Sequence, residues 1–297
     1  MVTTGARPEA QPMNVTRWLK TVALAVPALL AVVGTVGVTR FQAKAFQVHR
    51  IPEPSLPWAP PPTALERGRH LATTLGGCAE CHGSNFAGRV MEDNALVRLA
   101  PPNITPAGVV SGYTNRDWYR AILHGVDPRG RNLLLMPSRE LRTFSNDDVQ
   151  AIITYVKSVP PVRSAVPETR VSLLGQVVLG LAGENLWAAN KIRHDEPRTE
   201  RATPSGATVA HGEYLIAMCK GCHGQNLRGG LKPGPDSPPS ADISPSAMTN
   251  WTLPQLRTLL RQGKKRDGTD VNPAMPWRAM TALTDEELTA MWLALRE

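Results

Sequence analysis

All four cysteines of the chain fall in two copies of one short pattern, Cys78-Ala79-Glu80-Cys81-His82 and Cys219-Lys220-Gly221-Cys222-His223. Two thiols separated by two residues share one turn, and each can add to a vinyl group of the same porphyrin. The adjoining histidine then brings its imidazole to the iron from the proximal side. That is the attachment chemistry of haem c. A redox dithiol does not require a histidine next to it, and two of them do not explain the matched methionines Met136 and Met275. Zinc shared between cysteine pairs 141 residues apart would leave both histidines unexplained. The residues predict two covalently bound haems c. Cys78, Cys81, Cys219 and Cys222 are the thioether tethers, and His82 and His223 the proximal iron ligands.

The sixth position on each iron separates an electron carrier from a catalyst. A thioether fills it and raises the reduction potential relative to a second histidine. Met136-Pro137 and Met275-Pro276 are the candidates, because Met136 follows His82 by 54 residues and Met275 follows His223 by 52. Met91, Met248 and Met280 have no counterpart in the other copy and are read as packing residues, with Met280 the main competitor in the second copy. His70, His124 and His211 could in principle give bis-histidine ligation. Surface or capping roles suit them better, although His70 aligns with Tyr214.

The elements that position these residues are duplicated too. Asn103-Ile104-Thr105-Pro106 recurs as Asp242-Ile243-Ser244-Pro245, and Ser145-Asn146-Asp147-Asp148 as Thr284-Asp285-Glu286-Glu287. Four landmarks in one order at near-equal intervals indicate an internal repeat. Each copy reads as mainly α. Thr63 with Glu66 and Thr284 with Glu287 have capping-box spacing, and Ser145 with Asp148 opens the equivalent helix in the first copy. Val149, Ile152, Ile153 and Val156 repeat the i, i+3, i+4, i+7 stripe of Leu288, Met291, Trp292 and Leu295. Strand-like alternation is scarce.

Ahead of the repeats, Thr21–Thr39 is nineteen residues without a charge, about 28 Å as a helix against a hydrocarbon core of about 30 Å. This reads as an uncleaved transmembrane helix with Trp18 at the interface, the rival being a cleaved signal peptide. Three basic residues flank each side, so charge alone does not orient it. Haem c ligation in bacteria takes place on the outer face of the cytoplasmic membrane. The predicted order is therefore a cytoplasmic tail over 1–20, the span over 21–39, and a spacer over 40–63 whose six prolines lift the rest of the chain off the membrane. Haem domains over 64–163 and 209–297 then stand on the periplasmic side. The linker, 164–208, carries Leu173, Leu174, Val177, Val178 and Leu181 on one helix face. It reads as a connecting helix packed on one or both domains, rather than one lying on the membrane surface. The net charge of +8 has half its excess in residues 1–63. No basic stripe with interleaved aromatics remains, so nucleic acid is not an expected partner.

With Ala100-Pro101-Pro102-Asn103-Ile104-Thr105-Pro106, the turns Gly125–Gly130 and Gly263–Gly268, Met-Pro and the capped final helix, the chain resembles the cytochrome c subunits of periplasmic alcohol, gluconate and sorbitol dehydrogenases. It departs from many of them in lacking a third haem motif and in starting with the anchor. The resemblance implies two tandem class I cytochrome c-type domains after one N-terminal transmembrane helix. It also implies a one-electron relay with no catalytic residues of its own. The donor would be a periplasmic dehydrogenase or other respiratory donor, and the acceptor quinone, a soluble carrier or a terminal oxidase. Alternatives are the dihaem subunit of a haem–copper oxidase and, against the duplicated Met-Pro, a dihaem peroxidase. Lys264-Lys265-Arg266 is a candidate docking patch for a redox partner.

Overall fold

The computed structural model describes residues 15–52, 58–183, 186–196, 198, 202–232 and 237–297. Most of the predicted tail, the middle of the proline-rich spacer, and Glu184 and Asn185 lie outside the described residues. The chain opens with α1 (Val15–Ala45), then α2 (Ala64–Thr73), α3 (Cys78–His82), β1 (Glu92–Asp93) and β2 (Val97–Leu99). Next come α4 (Asn115–His124), α5 (Ser138–Leu141), α6 (Asn146–Ser158), β3 (Arg170–Val171) and α7 (Leu173–Ala182). The second half holds α8 (Val209–Ile216), α9 (Lys220–His223), α10 (Pro245–Met248), α11 (Leu253–Gln262) and α12 (Asp285–Ala294). The fold is mainly α, as expected.

Both halves rest on one helix crossing, α2 on α6 and α8 on α12. A Cβ added to Gly68 would lie 1.9 Å from the carbonyl oxygen of Ala151, and one on Gly212 would lie 1.9 Å from that of Ala290. Only glycine lets the two backbones approach so closely. Around each crossing the apolar stripes close, with Leu71, Phe144, Ile152 and Ile153 buried in one half and Leu215, Leu283, Leu288 and Met291 in the other. Thr284 and Glu287 form the expected capping box, and the Ser145 hydroxyl accepts from the Asp148 amide. Thr63 forms no box. Its φ of −86° and ψ of 5° are not extended, because the preceding prolines form a turn in which the Ala64 amide donates to the Pro61 carbonyl.

One buried core runs through both halves. At their boundary, positions equivalent in the repeat pair in both directions. Tyr214 donates to Asp148 at 2.6 Å, and His70 meets Glu287 at 2.8 Å. Arg67 holds Asp148 through two bonds of 2.8 and 2.9 Å and approaches Glu287 at 3.6 Å. This is the reciprocity of a two-fold interface, built within one chain. His70 is therefore a boundary residue rather than a surface one.

Burial raises the pKa of Glu287. The His70 bond, the Thr284 amide and the Arg67 charge outweigh this and hold its carboxyl below the usual carboxylate range. A depressed folded-state value stabilises above the unfolded pKa of about 4.3 and is lost as pH falls through the folded one. Thermal unfolding should accordingly show the wild type losing its advantage over Glu287→Gln as pH drops from about 5 to about 3.

Three elements depart from expectation. The first helix runs on to Ala45, through residues assigned to the spacer, because nothing breaks it and Phe41 packs edge-on against Trp187 at 5.4 Å. Its exit is then tied to the first half instead of standing off from it. Asn132 donates to the Lys44 carbonyl, the His49 amide donates to the Gly130 carbonyl, and Ile51 is buried with Val126 and Ala189. The linker helix α7 meets the first domain as expected where a Cβ on Gly175 would lie 2.1 Å from the Leu96 carbonyl oxygen, but it lies chiefly on α1, with Leu173, Leu174, Val178 and Leu181 exposed. Finally, β1, β2 and β3 make a small antiparallel sheet. Its strands of two or three residues are too short to show alternation.

Candidate functional site

The two cysteine motifs adopt nearly the same local structure. Gly77, at φ +64°, turns the chain into α3, which carries Cys78, Cys81 and His82. In the second half, Cys219 ends a 3-10 turn that leads directly into α9 with Cys222 and His223. After each histidine a glycine at φ near +80° reverses the chain, and Phe86 and Leu227 both sit at φ +60°. The carbonyls of these two residues accept from the Ile104 and Ile243 amides at 2.9 Å, so the Asn-Ile-Thr-Pro and Asp-Ile-Ser-Pro segments are held against the motifs.

That placement orients the histidines. Nδ1 of His82 lies 2.8 Å from the Pro102 carbonyl, and Nδ1 of His223 lies 2.8 Å from the Ala241 carbonyl. A carbonyl can only accept, so Nδ1 carries the proton and Nε2 presents its lone pair. Burial lowers the pKa of His82, which favours the neutral ring that a metal needs.

Burial pushes the thiols of Cys78 and Cys219 up to about 12, and those of Cys81 and Cys222 upward as well. A raised thiol pKa disfavours the thiolate that redox exchange uses. The cysteines form no disulfide, and among the described residues no cluster of His, Cys, Asp and Glu is set to hold a bare metal ion. The donor set fits haem c.

Met136 and Met275 are half-buried against the core that also receives Cys78 and Cys219. Their loops match, since Pro137 (φ −81°, ψ 47°) and Pro276 (φ −79°, ψ 51°) have the same backbone. Each methionine carbonyl accepts the amide two residues on at 2.8 Å. Met248 is buried in the core, Met280 packs half-buried against it, and Met91 is exposed. The two sites also meet. Glu140, three residues beyond Pro137, packs on α9, where a Cβ added to Gly221 would lie 3.4 Å from its Cγ. The second cysteine turn thus abuts the first methionine loop, a contact that no sequence pattern announced.

The other histidines are engaged elsewhere. His211 is buried, with Nδ1 donating to the Gly206 carbonyl. His124 Nδ1 lies 2.9 Å from His194 Nδ1, and Arg142 donates to His124 Nε2. His124 is therefore the donor to His194 and stays neutral, burial first among the causes that push it down to about 3. His194 carried no sequence signal and was missed. In the proposed docking patch, Lys264 pairs with Asp270 at 2.7 Å and Arg266 lies over Trp251, so two of its three cations have local partners.

Residues 63–156 match the family described as cytochrome C oxidase, cbb3-type, subunit III, and residues 209–293 match cytochrome c. Similar proteins include one of the subunits of the nicotinate dehydrogenase of Pseudomonas putida, 29% identical over 66% of this chain and 16% of that protein. The fructose dehydrogenase cytochrome subunit of Gluconobacter japonicus is 36% identical over 39% of the chain and 25% of its own length. The gluconate 2-dehydrogenase cytochrome c subunit of Pantoea cypripedii is 27% identical over 54% and 37%. The matched stretches thus span well under half the length of these relatives.

Proposed function

The chain is a cytochrome c with two such domains in tandem, and from that premise we infer that it is the membrane-anchored electron-transfer subunit of a periplasmic dehydrogenase complex. The observation that carries this reading is the repeated histidine geometry. In each half Nδ1 is taken by a backbone carbonyl, leaving Nε2 to coordinate, at the end of a turn bearing two cysteines. Cys78 and Cys81 would hold one haem c, with His82 and Met136 on its iron. Cys219, Cys222, His223 and Met275 would hold the other. When bound, the haems supply one-electron redox chemistry.

The rest falls to the chain. The Pro102 and Ala241 carbonyls fix the ring orientations and raise the basicity of the imidazoles. A thioether in the sixth position would exclude substrate from the iron and favour the reduced state. The names of the relatives, cytochrome subunits of fructose and gluconate dehydrogenases, support a dehydrogenase as donor. Quinone, a soluble carrier or a terminal oxidase would be the acceptor. In this reading α1 spans the cytoplasmic membrane with both domains on the periplasmic side. Its apolar stretch is long enough to cross and almost wholly exposed.

A second reading is favoured by one observation, the match of the first domain to a cbb3-type oxidase subunit. In it the chain would serve a haem–copper oxidase. Gentle extraction of the membrane complex separates the two. A co-purifying dehydrogenase whose substrate reduces the haems supports the first, and a co-purifying oxidase core supports the second.

Ligation is tested independently of partners. Met136→Ala and Met275→Ala should each remove about half of the methionine-to-iron charge-transfer absorbance of the oxidised protein. A variant that keeps the full band places its ligand elsewhere, with Met280 the next candidate in the second domain.

A further inference from the structure

We propose that α7 is a second membrane-seated element, packed on α1 and presenting Leu173, Leu174, Val178 and Leu181 to lipid acyl chains at the outer edge of the bilayer. The proposal rests on the reading of α1 as a span. It starts from a close backbone contact. A Cβ on Gly180 would lie 1.9 Å from the carbonyl oxygen of Gly37, and one on Gly37 would lie 2.7 Å from that of Val177. Small residues let helices associate this closely in lipid, and the domain crossings at Gly68 and Gly212 use the same device, so the contact fixes where α7 sits rather than what surrounds it. Gln42 donates to Gln176 at 3.2 Å beside this contact, and Trp187, just beyond α7, closes on Phe41.

The contact sets the level of α7. It is fixed beside residues 37–42, which straddle Thr39, the outer end of the apolar run. If α1 crosses the bilayer, α7 lies at the boundary between hydrocarbon and headgroups. Its outer face is built for that place. Leu173 is 70% exposed, Leu174 61%, and Val178 and Leu181 42% each. Val33 and Val36 of α1, and Phe46 and Val48 at the exit of that helix, are exposed as well. An exposed apolar surface of this extent marks an interaction site in a protein that meets only water.

Other features select lipid as the occupant. Leu173–Ala182 contains no charged residue. The helix therefore lacks the basic face by which a freestanding helix holds anionic headgroups. Attachment to α1 supplies the hold instead. Ten residues make about 15 Å of helix, half of a hydrocarbon core of about 30 Å, so α7 can enter one leaflet but cannot cross. Two seats in the bilayer, α1 and α7, would hold the first domain at a set tilt against the membrane.

The test uses the unmodified full-length holoprotein in nanodiscs of phosphatidylcholine that carries a diazirine near the ester end of one acyl chain. After illumination and proteolysis, mass spectrometry locates the lipid adducts. Adducts are expected on α1 and on residues 173–182, with none on α12, where Leu293 is exposed on the second half. Adducts on α1 with none on 173–182 would overturn the proposal and leave α1 as the span, because a second copy or another part of the complex would then cover that face. Absence from both would overturn the span itself, and the proposal with it.

Discussion

Replacing Cys78 and Cys81 together by alanine should cut the covalently bound haem to about half, and replacing Cys219 and Cys222 should do the same. Removing all four should abolish it. The measurements are the mass of the purified chain, which falls by one haem per pair, and the haem signal after denaturing electrophoresis. The effect is expected to be large because the proposed tether is a pair of covalent bonds with no substitute nearby. The two turns sit at separate histidines, and no other cysteine exists to take over. Loss of more than half from either pair would mean that one domain cannot mature without the other. The shared core makes that outcome a physical alternative worth reading from the same gel.

Asp148→Ala should lower stability by about 2–4 kcal/mol and divide one thermal transition into two. The carboxylate is 3% exposed and accepts two bonds from Arg67 and one from Tyr214. Breaking a buried pair costs about 3–5 kcal/mol when the surviving charge is stranded. Arg67 keeps a quarter of its side-chain surface in solvent and has Glu287 at 3.6 Å, which lowers the figure. Tyr214→Phe removes a hydroxyl that donates to Asp148 and accepts from the Ser145 amide, and should cost about 1–3 kcal/mol. Calorimetry of both variants separates a boundary that locks the halves together from one that merely brings them into contact. A single transition with unchanged midpoint in Asp148→Ala would show that the halves are joined by the apolar core alone.

Much of the fold was legible because it is local. Ser145, Thr284 and the apolar stripes behind them announce α6 and α12 within a dozen residues, and the repeat supplies each element a second witness. Where a local signal was overread, tertiary context explains it. Thr63 has the right neighbour in Glu66, but the prolines before it dictate a turn. The break expected after Thr39 does not occur, because Phe41 gains burial against Trp187, which is 146 positions away. The histidines were harder to read. Nothing in the surroundings of His70 says that its partner is Glu287, 217 residues on, or that Tyr214 does the equivalent work with Asp148, 66 residues back.

The sequence by itself determined the pattern on which the proposed chemistry rests. Two thiols on one turn can reach one porphyrin, so the proposed attachment pattern is contiguous, and it stands complete in the primary structure together with its duplication. The tertiary structure decided how the pieces stand to one another. It tied the end of α1 to the first domain, laid α7 along α1, paired equivalent residues across the boundary, and set the second cysteine turn against the first methionine loop. These are contacts between surfaces far apart in the chain. They depend on glycines that allow close approach and on buried charges that find partners, and neither leaves a period in the sequence to be read.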